Sequence, residues 1–349
     1  MEKLPLETQT LYAELQERLV ALEAHRSIGH LSGTFVAKTV KGAEYYYFQY
    51  SEPGGVTRQA YLGKRSPILD RIIEQFEEQR PQAQFEIDNI HRLCAQLRAG
   101  GAMTTDHSSA RVLMALADGG VFRSGGVLVG THAFVVLGNI LGYRWKSAAL
   151  RTQDIDIASD SVLRIAVPEL SSDVPQILES LKMGFLPVPG FDPRSPSTSY
   201  KIRGQSLRVD LLGPETRPNQ KKPIPIPRWN AAAQPLKYLD YLLEDSGHGS
   251  VVDSGGILVN LPSPARFALH KLITAQERAW AFHAKKEKDL QQALQILSVL
   301  ILERPGDLKA AWGALKKRGP TWEKKVRAGL AAGKKFAGPD FNQLTKLLR

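Results

Sequence analysis

The chain has 349 residues, 43% of them hydrophobic and 23% charged, the balance of an ordinary globular protein. There is no apolar run of membrane-spanning length, and the acidic, polar N-terminus lacks the apolar stretch of a secretory signal, so no membrane association is expected. One cysteine, Cys94, excludes an internal disulfide and a multi-thiolate zinc site and fits a reducing cytoplasm, while a net charge of +11 favours an anionic partner.

In chain order, Leu11, Leu15, Leu19 and Leu22 share one face of a helix expected over residues 3–27. A three-stranded β-meander follows, with turns at Lys41-Gly42 and Pro53-Gly54-Gly55. Its middle strand, Tyr45 to Tyr50, is aromatic on both faces. One face should pack on the next helix. The other is either merely half exposed or a platform for stacking bases, with Lys38, Lys41, Arg58 and Lys64 around it. Residues 67–98 read as helix interrupted near Pro81, with Cys94 in its packed face. A short helix over 108–116 should be capped by Asp106 or Ser108.

Residues 122–130 read as a strand delivering a Gly130-Thr131 turn into a buried helix over 131–141. A loop follows, and Arg151 and Thr152 lead into a strand carrying Asp154 and Asp156. Side chains at i and i+2 of a strand share a face, so the two carboxylates stand together while Ile155 and Ile157 point into a core. A helix over 174–183 precedes a Pro-rich turn region at 187–196. Strands over 198–203 and 206–212 then form a hairpin at Gly204-Gln205, with Asp210 on the second strand. Residues 213–230 are read as a proline-rich basic loop, 235–243 as a short helix and 250–261 as a hairpin around Gly255-Gly256. Helices over 263–283, 285–302, 307–317 and 321–330 and a basic tail complete the chain. The divisions expected are 1–104, 105–262 and 263–349.

Close carboxylates repel unless a cation sits between them, and a helix N-terminus offers N–H groups to an anion. Three acids on adjacent strands suit divalent metal ions that activate a hydroxyl and offset charge on a leaving pyrophosphate. The pattern Val129-Gly130-Thr131, Asp154-Ile155-Asp156 and Asp210 resembles the DNA polymerase beta-like nucleotidyltransferase superfamily. Twenty-three residues separate Thr131 from Asp154, longer than is usual there. Gly130-Thr131-His132-Ala133 with Thr152-Gln153-Asp154-Ile155-Asp156 is similar to a bacterial nucleotidyltransferase-like branch that has this longer form.

The resemblance implies an α+β fold: a mixed sheet flanked by helices, preceded by a helix and β-meander and followed by a helical domain. It implies Mg²⁺ or Mn²⁺ on Asp154, Asp156 and Asp210, which are also the catalytic acids. A nucleoside triphosphate such as ATP would be held by Gly130, Thr131, Thr152 and Lys271. Lys271 could equally be a snorkelling surface lysine, Arg266 and Arg278 are further candidates, and Asp289 reads as a helix salt-bridge partner. His132 reads as a packed histidine rather than a base. Two other functions stay open: an inactive transferase fold that binds nucleic acid, and a toxin-type transferase with an antitoxin partner. The acceptor stays open among RNA, protein and small molecule. The positive charge points towards nucleic acid, transfer RNA included.

Overall fold

The computed structural model describes residues 1–26, 28–31, 33–52, 56–146, 154–159, 172–189, 196–278 and 282–348. Strand β1 (Glu2–Lys3) precedes helix α1 (Leu6–Ala24). Pro5 at the N-cap position delays the helix start past residue 3. Its packed face is Tyr12, Leu15 and Leu19, with Leu11 and Leu22 partly buried beside them. Strands β2 (Thr34–Val40), β3 (Ala43–Glu52) and β4 (Val56–Lys64) form the expected antiparallel meander. Lys41 and Gly42 both adopt positive φ, the geometry of a tight hairpin turn. The expected turn at Pro53-Gly54-Gly55 lies outside the described residues.

Helix α2 (Pro67–Ala99) corrects the expected break, because it runs through Pro81. Pro81 is exposed, and the helix is anchored on both sides of it. Phe76 packs on Phe35 and Phe48 of the meander, and Ile90, Leu93, Cys94 and Leu97 pack on α1. That burial outweighs the ~3 kcal/mol a mid-helix proline costs. In helix α3 (His107–Asp118), Asp106 is the cap, its carboxylate accepting from the Ser109 N–H at 3.0 Å.

The part of the chain that follows α3 is built on a seven-stranded mixed sheet. Strand β5 (Gly126–Val129) is shorter than expected, since Gly120 and Gly125 at positive φ keep the preceding residues in turns. Helix α4 (Gly130–Leu141) follows directly, and the two-residue β6 (Tyr143–Arg144) pairs with β1. Strand β7 (Asp154–Ser159) pairs antiparallel with β5. After α5 (Val174–Ser180), β8 (Phe185–Pro187) pairs with β9 (Ser199–Ile202). Strand β10 (Arg208–Pro214) pairs antiparallel with β9 through its first half, parallel with β7, and parallel with β12 (Ala231–Leu236) at its end.

Two readings are corrected here. The basic loop contains strand β11 (Ile224–Ile226), which pairs with β12, and a 3₁₀ turn that buries Trp229. The helix expected from Pro235 is instead the end of β12, and only α6 (Leu239–Leu243) is helical. Ile224 and Ile226 point to the core around an outward Pro225, which an edge strand tolerates.

The hairpin of β13 (Gly247–Val251) and β14 (Ile257–Leu261) leads to α7 (Pro264–Glu277), α8 (His283–Glu303), α9 (Pro305–Lys316), α10 (Pro320–Gly333) and α11 (Phe341–Leu347). One apolar cluster joins β5, β7, β10 and α4 to these C-terminal helices, so the sheet and the helices facing it share a core. The result is an α+β fold, a mixed sheet flanked by helices. Among the described residues, no helix is long and apolar enough to cross a membrane.

Candidate active site

Register brings the predicted acids together. On β7, Ile155 and Ile157 are buried, so Asp154 and Asp156 share the opposite face. Asp156 pairs with Val129 on one side and with Asp210 on the other. The β5–α4 turn and both central acids therefore lie at one level of the sheet. Gly130 has φ +68°, and a β-carbon there would run into Asp156 Oδ2. Glycine is required twice, for its backbone angle and for the close approach of the helix start to a carboxylate. No side chain caps α4, so its first N–H groups remain available to an anion.

Gly130, Thr131, Asp154, Asp156, Asp210 and Lys271 all line a single cavity of about 270 Å³. Thr152 lies outside the described residues. The opposite wall comes from α7 and α8 and adds Arg278, Lys285, Lys288 and Asp289. Lys271 is not a surface lysine: its side chain is 12% exposed and its Nζ lies 2.7 Å from Asp289 Oδ1. Arg278 Nε reaches the other oxygen at 2.6 Å. Burial pushes the Asp289 carboxyl up, but Lys271 and Arg278 together hold it below its ordinary value. Asp289 is thus a buried anchor for two cations on the cavity wall, a tertiary role rather than a pairing along its own helix. Arg266, by contrast, bonds Glu244 and the Tyr241 carbonyl.

The acids differ in their company. Lys285 Nζ stands 3.8 Å from Asp154 Oδ2. Arg208 Nε donates to Asp210 Oδ1 at 2.8 Å and to Ser199 Oγ at 2.9 Å. Enclosure, Asp210 and Asp154 push the Asp156 carboxyl up to about 7, against the opposing pull of Lys271 and Lys285. On the facing helix, burial and Lys271 bring the Lys288 ammonium down to about 8, although Asp289, Asp154 and Asp156 favour its charge.

Histidine 132 is packed, as expected, and burial lowers its pKa to about 4. Its Nε2 has no hydrogen-bond partner among the described residues. Thr131 accepts a hydrogen bond from Gln292 Nε2 of α8 at 3.2 Å, joining the turn to the facing helix.

Hard carboxylate oxygens are the right donors for Mg²⁺ or Mn²⁺, and the raised Asp156 carboxyl marks a place where positive charge is favourable. The fit is two plus one. Asp154 and Asp156 share a face, whereas Asp210 is engaged by Arg208. Among the described residues, no three His, Cys, Asp or Glu side chains stand close enough to form a ready-made metal cluster.

Lys285, Lys288 and Arg208 were not anticipated from the sequence. The available signal was spacing: Lys285, Lys288, Asp289 and Gln292 fall on one side of α8.

Acids paired across adjacent strands and faced by a wall of cations offer oxygen donors to a divalent cation on one side and positive charge to an anion on the other. A family model described as nucleotidyltransferase matches residues 107–316, and the chain belongs to that family. The match begins at α3 and ends with α9, so it takes in both walls of the cavity. No curated protein gives a significant match. Among solved structures, the crystal structure of an antigenic nucleotidyltransferase-like protein from Paracoccidioides brasiliensis is similar at 14% identity. The similarity covers 64% of this chain and 94% of that one, with a TM-score of 0.33.

Proposed function

We propose that the cavity moves a nucleoside monophosphate from a nucleoside triphosphate to an acceptor hydroxyl, releasing pyrophosphate. The observation that carries this reading is the shared level of Val129, Asp156 and Asp210, which sets an anion-binding turn against two acids on adjacent strands. The N–H groups at the start of α4 and the Thr131 hydroxyl receive phosphate oxygens. Lys271, Arg278, Lys285 and Lys288 offset the charge of the polyphosphate from the facing wall.

Asp289 acts through Lys271 and Arg278 by fixing where their charges lie. Asp154 and Asp156 would hold a divalent ion, with Asp210 joining them on release from Arg208. Such an ion supplies activation of the acceptor hydroxyl and offsets charge on the departing pyrophosphate. The net charge of +11 favours a nucleic-acid acceptor.

The test is incubation with each α-labelled nucleoside triphosphate, Mg²⁺ or Mn²⁺, and either total RNA or a protein extract. A labelled product is expected with the parent protein. The Asp156→Asn variant should lose transfer by at least about a hundredfold while keeping its fold. It should also melt a few degrees higher in metal-free buffer, because a carboxylate crowded by Asp210 and Asp154 is gone. Transfer retained by both Asp154→Asn and Asp156→Asn would refute the reading.

A further inference from the structure

The meander of β2, β3 and β4 divides its aromatic residues by face. Towards α2, Phe35 and Phe48 meet Phe76, with ring centroids 5.0 to 6.4 Å apart. On the same side Tyr46 donates its hydroxyl to Asp70 at 2.7 Å, and Glu44 is held by Arg65. The opposite face carries a different set. Val36, Tyr47 and Tyr61 lie in register across the three strands, as do Lys38, Tyr45 and Lys64.

The Tyr61 ring centroid lies 5.5 Å from that of Tyr47 and 6.2 Å from that of Tyr45. Lys38 sits 4.8 Å from the centre of the Tyr47 ring and bonds Gln59, which donates to Gln49 at 2.7 Å. Tyr61 is 60% exposed. Among the described residues this face has no acid, and Lys41 adds a third cation at its edge.

Tyr61 is exposed with Tyr45 and Tyr47 half-buried beside it, and clustered rings of this kind on a sheet face mark a place where a partner docks. The charge identifies the partner as a polyanion. The rings require one with exposed planar faces. Both conditions are met by unpaired nucleotides, whose bases stack on aromatic rings while their phosphates meet lysines. A duplex buries the faces of its bases and meets only the second condition.

We propose that the Tyr45, Tyr47 and Tyr61 face binds single-stranded nucleic acid, with bases stacked on the rings and Lys38, Lys41 and Lys64 at the phosphates. This surface is distinct from the cavity and functions whether or not the cavity transfers a nucleotide.

The test is fluorescence anisotropy of the full chain with a labelled mixed-sequence oligonucleotide, single-stranded or paired as a duplex. Single strands should bind more tightly than the duplex. Because stacking is worth about 1–3 kcal/mol per base, Tyr61→Ala should weaken single-strand binding about fivefold or more. The Tyr47→Ala, Tyr61→Ala double variant should weaken it further, and the matching Phe variants should keep it. Lys38→Ala with Lys64→Ala should flatten the salt dependence of log K by roughly 1.4. Melting temperature reports folding. Tyr61→Ala alone, at the most exposed ring, serves as the probe if the double variant disturbs the sheet. Unchanged single-strand binding in Tyr61→Ala, or duplex binding as tight as single-strand binding, overturns the proposal.

Discussion

Gly130 shows how much of the site depends on one α-carbon. Its φ of +68° would strain any L-residue, and its missing β-carbon is where Asp156 Oδ2 lies. Gly42 has a similar φ of +77° in the meander turn, with nothing near its missing side chain. The two positions separate backbone strain from steric exclusion. Gly42→Ala should cost only the ~1–2 kcal/mol of a left-handed L-residue and leave transfer untouched. Gly130→Ala should cost more, since the helix start or Asp156 must move, and should abolish transfer. Urea midpoints compared with single-turnover transfer for the two variants would show this split, and a fully active Gly130→Ala would contradict the geometry.

At the scale of elements, α4 and α7 each bury a histidine, and both are neutral. Burial lowers His132 to about 4; burial, with Lys271 next to it, lowers His270 to about 3. In the unfolded chain an ordinary histidine titrates near 6.5, so as pH falls the unfolded state takes up protons first. Stability is therefore complete above about pH 6.5 and is lost progressively towards the folded-state values. Each histidine should cost about 2 kcal/mol by pH 5. The raised Asp156 carboxyl acts with the opposite sign over the same range, since its folded form holds a proton that the unfolded form has lost. Urea titrations between pH 7 and 5 in an Asp156→Asn background should therefore show the histidine slope, and adding His132→Gln or His270→Gln should flatten it; parallel profiles would contradict neutral burial.

The same elements show what could be read from the sequence. The Gly-Thr turn, the Asp-x-Asp strand and the β9–β10 hairpin were legible because backbone angle and period-2 alternation act locally. Strand β12 was not, because an Ala-Ala-Ala-Gln-Pro run has little strand propensity and is held by β10 and β11 on its two sides. Lys285 and Lys288 stand at the start of α8, and only the packing of α7 and α8 onto the sheet turns them towards the acids. For Arg208 the signal was present and local, since period-2 alternation puts it on the face of Asp210, two residues on; its contact with Ser199 and its place beside Asp154 come from the β9–β10 and β7–β10 pairings.

Across the whole molecule, the cavity lies between two parts of one continuous core. The β5–α4 turn and the β7–β10 acids form one wall, and α7 and α8 form the other. A ligand bridging the walls should therefore stabilise the core as a unit instead of one segment. The two walls carry opposite charge: Asp289 pairs with both Lys271 and Arg278 and leaves that wall positive, Lys285 reaches towards Asp154, and burial with Asp210 and Asp154 disfavours the Asp156 carboxylate. A polyphosphate alone would meet the cations but repel Asp154 and Asp156; a divalent cation alone would meet the acids but not the lysines. The two together satisfy both walls, so their effects on stability should exceed the sum of the separate effects. At a hundred times its dissociation constant a ligand adds about 2.7 kcal/mol, a rise in Tm of a few degrees for a chain of this size. The expected result is a small shift with Mg²⁺ alone, a small shift with nucleoside triphosphate in chelator, and a larger single-transition shift with both. Lys288→Ala should reduce the nucleotide contribution, and Asp154→Asn the metal contribution. Scanning calorimetry with each of the four triphosphates measures all of these, and additive shifts for every nucleotide would mean that the two walls do not share a ligand.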